Sequence, residues 1–202
     1  MKPVHRLATA LAIAALSTAA SAATVYTSSS DFLSKLLPGA YTENFNGLSN
    51  TPPGAVPFSG GAFSYTISAP QDTYADGDTM STSQIMDDLT IDFTSNNVYA
   101  VGGNFFGVDF QGAFQSIMIT LTLSDGTVES FTPASFGGSF RGFISGEAIT
   151  SLNIHGSDGL NQSFYAALDN LTVGTVPEPA SLALAGVALA GLAAARRRRN
   201  SL

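Results

Sequence analysis

The chain has 202 residues, a formal net charge of −7, no cysteine and no tryptophan. Because cysteine is absent, disulfide bonds, thiolate catalysis and cysteine-ligated zinc or iron–sulfur centres are excluded. The charge is unevenly distributed, since residues 23–176 hold two basic residues against fourteen acidic ones, a net charge of −12. A field of this sign repels phosphates, so we expect no nucleic-acid partner, and either a soluble exported protein, a cation binder or both.

The N-terminus has the three parts of a secretory signal peptide. Lys2 and Arg6 form a basic start, residues 7–16 are apolar, and Ala20-Ser21-Ala22 is the small-residue pattern that precedes cleavage. The apolar run is too short to span a bilayer comfortably, which argues against a permanent anchor. We therefore predict a signal helix within residues 1–22, removed by cleavage after Ala22.

Residues 23–174 read as one all-β domain with a single short helix. After an extended piece at 24–27, the helix is predicted over residues 30–37, with Ser30 as its N-cap and Pro38-Gly39 as its end. Alternating apolar residues then indicate half-buried strands, and Asp125-Gly126 between two such runs is a strong hairpin signal. The pattern predicts an antiparallel β-sandwich of the jelly-roll type, with a flattened barrel as the alternative. The strands are predicted at residues 62–67, 89–94, 98–101, 104–110, 117–123, 127–131, 140–144, 148–154 and 164–173.

Catalytic chemistry finds little support in these residues. His155 is the only histidine of the body, so neither a Ser-His-Asp triad nor a three-ligand zinc site is expected from it. Two carboxylates suffice for glycoside hydrolysis, but most of the acidic residues lie in polar loops that do not raise a pKa. We expect a protein without enzymatic activity and name no catalytic residue.

Two other kinds of site remain open. The stretch 71–78 holds Asp72, Asp76 and Asp78 beside a glycine, which is either a calcium loop outside the EF-hand spacing or a solvated acidic loop. Sugar binding requires exposed aromatic side chains, and without tryptophan the strongest stacking platform is missing. The aromatic residues available for it, which otherwise pack in the core, are Tyr74, Tyr99, Phe106, Phe110, Phe114 and Tyr165.

Residues 175–202 form a third segment with three ordered parts. Val176, Pro177, Glu178 and Pro179 make an extended acidic peptide, because proline blocks both helix and strand. Residues 180–195 carry no charge and predict a single transmembrane helix of about 24 Å. The basic cluster Arg196, Arg197, Arg198 and Arg199 stays on the cytoplasmic side of the inner membrane, which places the body outside it.

This order of motif, helix and basic cluster resembles the PEP-CTERM sorting signal. The resemblance implies a Gram-negative bacterium in which an exosortase-type processing enzyme cuts at the motif. The protein would then pass from a transient membrane anchor to the cell surface or the exopolysaccharide matrix, much as a GPI signal loses its hydrophobic tail. The implied function is that of a non-enzymatic surface or matrix protein associated with exopolysaccharide and biofilm.

The body also resembles secreted jelly-roll domains that are similar to carbohydrate-binding modules. This resemblance implies a structural calcium ion shared by Glu43, which opens the first main strand, and Asp169, within the last one, with a backbone carbonyl or Asn44 as a further oxygen donor. An aspartate inside a strand and flanked by leucines needs a partner, which fits this hypothesis. The alternatives are a hydrogen bond to nearby backbone in place of calcium, a carbohydrate-binding module with one defined glycan, and a secreted hydrolase.

Overall fold

The computed structural model describes residues 22–49, 51, 53–157, 159 and 164–177. Most of the predicted signal peptide, the end of the sorting motif, the transmembrane helix and the arginine cluster lie outside these residues. Within the described part of the chain, no helix combines the length and the apolar character needed to cross a membrane.

The described residues form fourteen strands and one α-helix. The strands are β1 Thr24–Tyr26, β2 Tyr41–Glu43, β3 Val56–Gly60, β4 Phe63–Ser68, β5 Thr73–Ala75, β6 Met80–Thr82, β7 Leu89–Phe93, β8 Ala100–Val108, β9 Phe114–Gln115, β10 Met118–Leu123, β11 Val128–Phe131, β12 Phe140–Ile144, β13 Ser151–Ser157 and β14 Tyr165–Gly174. The helix, α1, is Ser29–Leu33, and a 3₁₀ turn covers Phe136–Gly138.

Two antiparallel sheets pack face to face. Sheet A has the order β1-β12-β8-β14-β6-β5, with β2 beside β14 and β9 beside β8. Sheet B has the order β11-β10-β13-β7-β4-β3. The main core lies between them, and the all-β sandwich expected from the sequence is confirmed.

Strand alternation explains this core. In β7 and β10 every second side chain is buried between the sheets, and the intervening residues are more exposed. The Asp125-Gly126 hairpin joins β10 to β11 as predicted, with Leu121 opposite Glu129. The period-two pattern located these strands because each of them has one buried face and one wetter face.

The helix is shorter than predicted and begins earlier. Its N-cap is Ser28, whose hydroxyl accepts a hydrogen bond from the backbone N–H of Asp31, and not Ser30. Phe32 is fully buried, and its ring packs at 5.7 Å from the ring of Phe140. This contact fixes α1 against the outer face of sheet A, apart from the main core.

The prediction of separate strands at 98–101 and 104–110 is wrong, since β8 runs unbroken through Gly102-Gly103. The glycine at 102 is required by packing: a Cβ there would lie 2.9 Å from the ring of Phe32. At Gly142 on the neighbouring strand the corresponding distance is 2.6 Å. Glycine here makes room for a buried aromatic ring and does not mark a turn.

The pair β8–β14 forms the long axis of sheet A. Tyr165 lies opposite Val108 at one end, and Gly174 lies opposite Ala100 at the other. Ten residues of strand at roughly 3.3 Å each separate these ends by about 30 Å. The position of any site along this pair therefore fixes how far it lies from the C-terminal end of the body.

Candidate functional site

A groove of about 510 Å³ lies at the Tyr165 end of sheet A. Its volume falls within the range of roughly 300–1,000 Å³ that is usual for small-ligand sites. The hairpin β5–β6, the loop after β8 and the start of β14 form its walls. We call it the groove and define it by the lining residues Tyr74, Asp76, Ser81, Asp109, Phe110 and Tyr165.

Strand register places the groove on the outer face of sheet A. Tyr74 lies opposite Ser81, Ser81 opposite Ala167, and Ala167 opposite Phe106, so one row of side chains crosses four strands on one face. Phe106 and Ala167 are buried on this face in a small apolar cluster separate from the main core. The ring of Phe136, in the 3₁₀ turn, packs at 5.2 Å from that of Phe106 and helps to cover it.

Two aromatic side chains at the groove remain exposed to solvent. Tyr74 is 57% exposed on β5, and Phe110 is 77% exposed in the loop after β8. The other aromatic candidates from the sequence divide between two places. Tyr165 lines the groove and Phe114 packs on the outer cluster. Tyr99 lies at the far end of β14, where its backbone N–H donates to the carbonyl of Gly174.

Asp109 organises the loop that carries Phe110. Its Oδ1 accepts hydrogen bonds from the backbone N–H groups of Gln111 at 2.9 Å and Ala113 at 3.0 Å. Its Oδ2 accepts a third bond from Nε2 of Gln115 at 3.0 Å. The backbone hydrogen bond from Gln111 is the main cause that lowers the pKa of the Asp109 carboxyl, so this group stays ionised at neutral pH.

Asp76 lies in the turn between β5 and β6, and its two carboxylate oxygens differ in their hydrogen bonds. Its Oδ1 accepts the backbone N–H groups of Asp78 at 3.0 Å and Thr79 at 2.9 Å and the Thr79 hydroxyl at 3.2 Å. Its Oδ2 makes no hydrogen bond within the described residues, and it would lie 2.8 Å from a Cβ built on Gly112. The carboxylate of Asp76 therefore sits against the Asp109–Gly112 loop with one oxygen free.

The acidic stretch 71–78 is a hairpin and not a single loop. Its carboxylates make different hydrogen bonds. Asp72 accepts from the backbone N–H of Gly54, whereas Asp76 accepts from the backbone N–H of Asp78 and closes the turn between β5 and β6. In the described part of the chain, no three His, Cys, Asp or Glu side chains are grouped so that they could hold a metal ion.

Glu43 and Asp169 lie on neighbouring strands, as the calcium hypothesis requires. Glu43 pairs with Leu171 across β2 and β14, two residues from Asp169. Each carboxylate is engaged by its own neighbours, however: Glu43 accepts from the Tyr41 hydroxyl at 2.5 Å and from the N–H of Phe45 at 3.0 Å. The bond to Glu43 and burial together raise the pKa of Tyr41 to about 12.

Asp169 stands at a bulge in β14. Asn170 has a positive φ of 52°, and it donates to Asp169 from its backbone at 2.6 Å and from its side chain at 2.7 Å. The same amide reaches Oδ1 of Asn104 on β8 at 3.3 Å. Burial raises the pKa of the Asp169 carboxyl, and the nearby charges of Asp78 and Asp76 raise it further. A calcium ion at Glu43 and Asp169 stays a prediction.

His155 lies on β13, with its Nδ1 2.7 Å from Oδ1 of Asp88, and both side chains are partly exposed. This pair belongs to sheet B, away from the groove.

A second cavity of about 450 Å³ marks the opposite end of sheet A. Ala22, the residue before the predicted signal cleavage, lines it together with Val176 and Pro177, the start of the extended tail motif. The next residue, Ala23, is 8% exposed, and its N–H donates to the hydroxyl of Thr127 at 2.8 Å. We call this the terminal cavity; it brings the two chain junctions side by side.

The tail matches a known sorting signal. Residues 175–199 match the PEP-CTERM protein-sorting motif, over the extended peptide, the apolar stretch and the arginines. The chain carries a PEP-CTERM sorting motif. This motif implies export, transient membrane anchoring and sorting by an exosortase to the surface or the medium. Glu178, Pro179 and the rest of the PEP-CTERM segment lie outside the described residues.

No curated protein and no solved structure matches this chain. The PEP-CTERM motif covers the tail alone, so the role of the body follows from its own geometry.

Proposed function

We propose that the chain is a non-enzymatic protein of the cell surface or extracellular matrix of a Gram-negative bacterium, where its body binds exopolysaccharide and contributes to biofilm. The observation that carries this proposal is the groove, in which exposed Tyr74 and Phe110 accompany the carboxylates of Asp76 and Asp109. Sugar rings offer apolar faces that pack on aromatic rings and hydroxyls that donate to carboxylates. The groove supplies a partner for both.

The place of the groove suits a protein that is anchored first and released later. The terminal cavity holds Val176 and Pro177, directly before the membrane-spanning tail, and the groove lies about 30 Å away along β8 and β14. While the tail is still in the membrane, the groove is then directed outward, towards extracellular polymer.

The charges in the groove favour binding over hydrolysis. A glycosidase needs a carboxylic acid whose pKa is raised, so that it can protonate the leaving group. Hydrogen bonds lower the pKa of Asp109, which is therefore a poor proton donor at neutral pH. Asp76 uses one oxygen to close its own turn. These features support a site that holds a sugar without cleaving it.

Affinity electrophoresis through gels containing the exopolysaccharide of the producing organism tests this proposal. The exported protein should be retarded, and Phe110→Ala should lose most of the retardation because its ring is the most exposed aromatic at the groove. Val128→Ala is the matched control, since Val128 is 58% exposed on β11, the edge strand of sheet B, and does not line the groove. Equal migration with and without the polymer would contradict the proposal, and release of new reducing ends would favour the hydrolase alternative.

A further inference from the structure

The C-terminal end of the body is fixed to the segment that follows α1. The backbone N–H of Leu37 donates to the carbonyl of Thr175 at 2.9 Å. The side chain of Val176 packs against the cluster that contains the buried rings of Phe32 and Phe140. The chain is therefore attached to the body as far as Val176, and the sorting tail leaves the body from this surface.

The tail is too short to hold this surface far from the membrane. Only three residues separate Val176 from residue 180, where the predicted transmembrane helix begins. Even in a fully extended chain, four residue steps of roughly 3.5 Å reach about 14 Å. The headgroup layer takes up about 6 Å of that length. While the tail anchors the chain, Val176 therefore lies no more than about 8 Å from the headgroup surface.

The surface beside Val176 has apolar side chains exposed to solvent. We call residues 33–37 the Leu-Lys segment. Leu33 is 47% exposed and Leu37 is 40% exposed, whereas Leu36 between them is half-buried and packs on the same cluster as Val176. Single exposed leucines are common on protein surfaces. Here two of them lie within five residues, in the segment that is bonded to the start of the tail.

The same segment carries a basic side chain without an ion pair. Lys35 lines the terminal cavity together with Val176, and it forms no ion pair with a described residue, including Asp31 on α1. The other basic residue of the body, Arg141, pairs with Glu129 at 3.2 Å. None of the described residues that line the terminal cavity is Asp or Glu. The side of the body that is closest to the membrane is thus suited to anionic phosphate groups.

The charge of the remaining body favours the same orientation. Residues 23–176 have a net charge of −12, and the groove with the carboxylates of Asp76 and Asp109 lies about 30 Å away along β8 and β14. An anionic lipid surface repels these carboxylates and attracts Lys35. The lowest-energy arrangement at such a surface places the Leu-Lys segment towards the lipid and the groove away from it.

We propose that the Leu-Lys segment docks the body on anionic phospholipid while the tail is anchored. Leu33 and Leu37 enter the headgroup region, and the Lys35 ammonium pairs with lipid phosphate. Two leucines and one lysine bind a membrane only weakly on their own, so the contact ends when the tail is removed. Its role is to hold the start of the sorting motif at the membrane surface, within reach of a membrane-embedded processing enzyme. The inference concerns the anchored stage and is independent of sugar binding in the groove.

The absence of tryptophan makes this contact directly measurable. Leu37→Trp gives the full chain a single tryptophan in the Leu-Lys segment. Met86→Trp is the matched control, because Met86 is 57% exposed in the loop after β6, a strand that runs towards the Tyr165 end of β14. Each chain, with its tail, is reconstituted into vesicles of phosphatidylethanolamine and phosphatidylglycerol, with or without bromine atoms on the acyl chains. Leu37→Trp should emit at shorter wavelength and lose most of its emission in brominated vesicles, whereas Met86→Trp should not respond.

Charge variants in the Leu37→Trp background test the role of Lys35. Lys35→Gln should lower the ratio of lipid-bound to unbound body about fivefold, as expected for one lysine at an anionic surface. Gln84→Glu also lowers the net charge by one, but at an exposed position in the loop after β6, and should leave the ratio unchanged. Vesicles of phosphatidylcholine alone should reproduce the effect of Lys35→Gln.

Each possible failure has a distinct reading. Emission of Leu37→Trp that is indifferent to bromination overturns the proposal, and Leu33→Trp repeats the measurement at the second exposed leucine. Equal quenching of Met86→Trp would show that the body has no preferred side. Quenching that appears only after the processing enzyme is added to the vesicles would make the partner a protein and overturn the lipid contact. Failure of the tail to retain the chain on vesicles removes the anchored stage and overturns the proposal as well.

Discussion

Gly112→Ala is expected to damage the groove in a way that can be separated from ordinary strain. Gly112 has a φ of +79°, where a residue with a Cβ costs about 1–2 kcal/mol. Its new Cβ would also lie 2.8 Å from Oδ2 of Asp76, closer than real Cβ contacts are found. Asp76 cannot rotate away without losing the hydrogen bonds that Oδ1 accepts from Asp78 and Thr79, which adds about 1 kcal/mol.

Gly126→Ala is the control for this substitution. Gly126 has a φ of +84°, and nothing lies within 4 Å of its Cβ position, so it carries the backbone strain without the contact. Urea denaturation should show a loss of about 1–2 kcal/mol for Gly126→Ala and about 2–3 kcal/mol for Gly112→Ala. Only Gly112→Ala should weaken the retardation by exopolysaccharide. Equal effects of both variants on polymer binding would refute the assignment of Asp76 to the site.

Three further predictions concern the framework around the groove. Phe32→Ala should lower the unfolding free energy by about 3–5 kcal/mol in urea denaturation, because a fully buried ring is lost from the cluster that holds α1; a loss below about 1 kcal/mol would contradict that packing. The pKa of Asp169 is raised in the folded protein, so the unfolded chain releases this proton at a lower pH. The free energy of unfolding should therefore fall as the pH rises above about 3.9, the pKa of an unperturbed aspartate. Urea denaturation of Asp169→Asn at several pH values should lack this contribution to the dependence of the unfolding free energy on pH. A dependence identical to that of the wild type would disprove the assignment to Asp169. If Glu43 and Asp169 hold calcium, a chelator should lower the melting temperature of the exported protein in calorimetry, and an unchanged melting temperature would end the hypothesis.

The sandwich could be predicted from the sequence because its core strands alternate apolar and polar residues. Strands such as β7 and β10 bury one face, and the alternation of apolar and polar residues records this directly. Strands without that pattern were missed, among them β3, which includes a proline, β5 and β6, which have three residues each, and β9, which has two. Pairing with distant partners stabilises these strands, and a local pattern contains no record of it.

The groove depends on contacts that local patterns do not contain. Tyr74 and Phe110 were both among the aromatic candidates, but nothing nearby in sequence indicates that they share one site. They line the same groove because β14, from the end of the body, lies between β6 and β8 and so sets the two walls side by side. The free oxygen of Asp76 depends on the hydrogen bonds of its turn, and these are visible only in the folded chain. The sorting motif is contiguous, and it could therefore be predicted in full.

The mass of the intact protein recovered from its producing organism tests the central claim most directly. Export followed by exosortase sorting predicts a mature chain that begins at Ala23 and ends near Val176, found at the cell surface or in the matrix. Full-length chain in the cytosol, with its signal peptide and four terminal arginines still attached, would contradict the account.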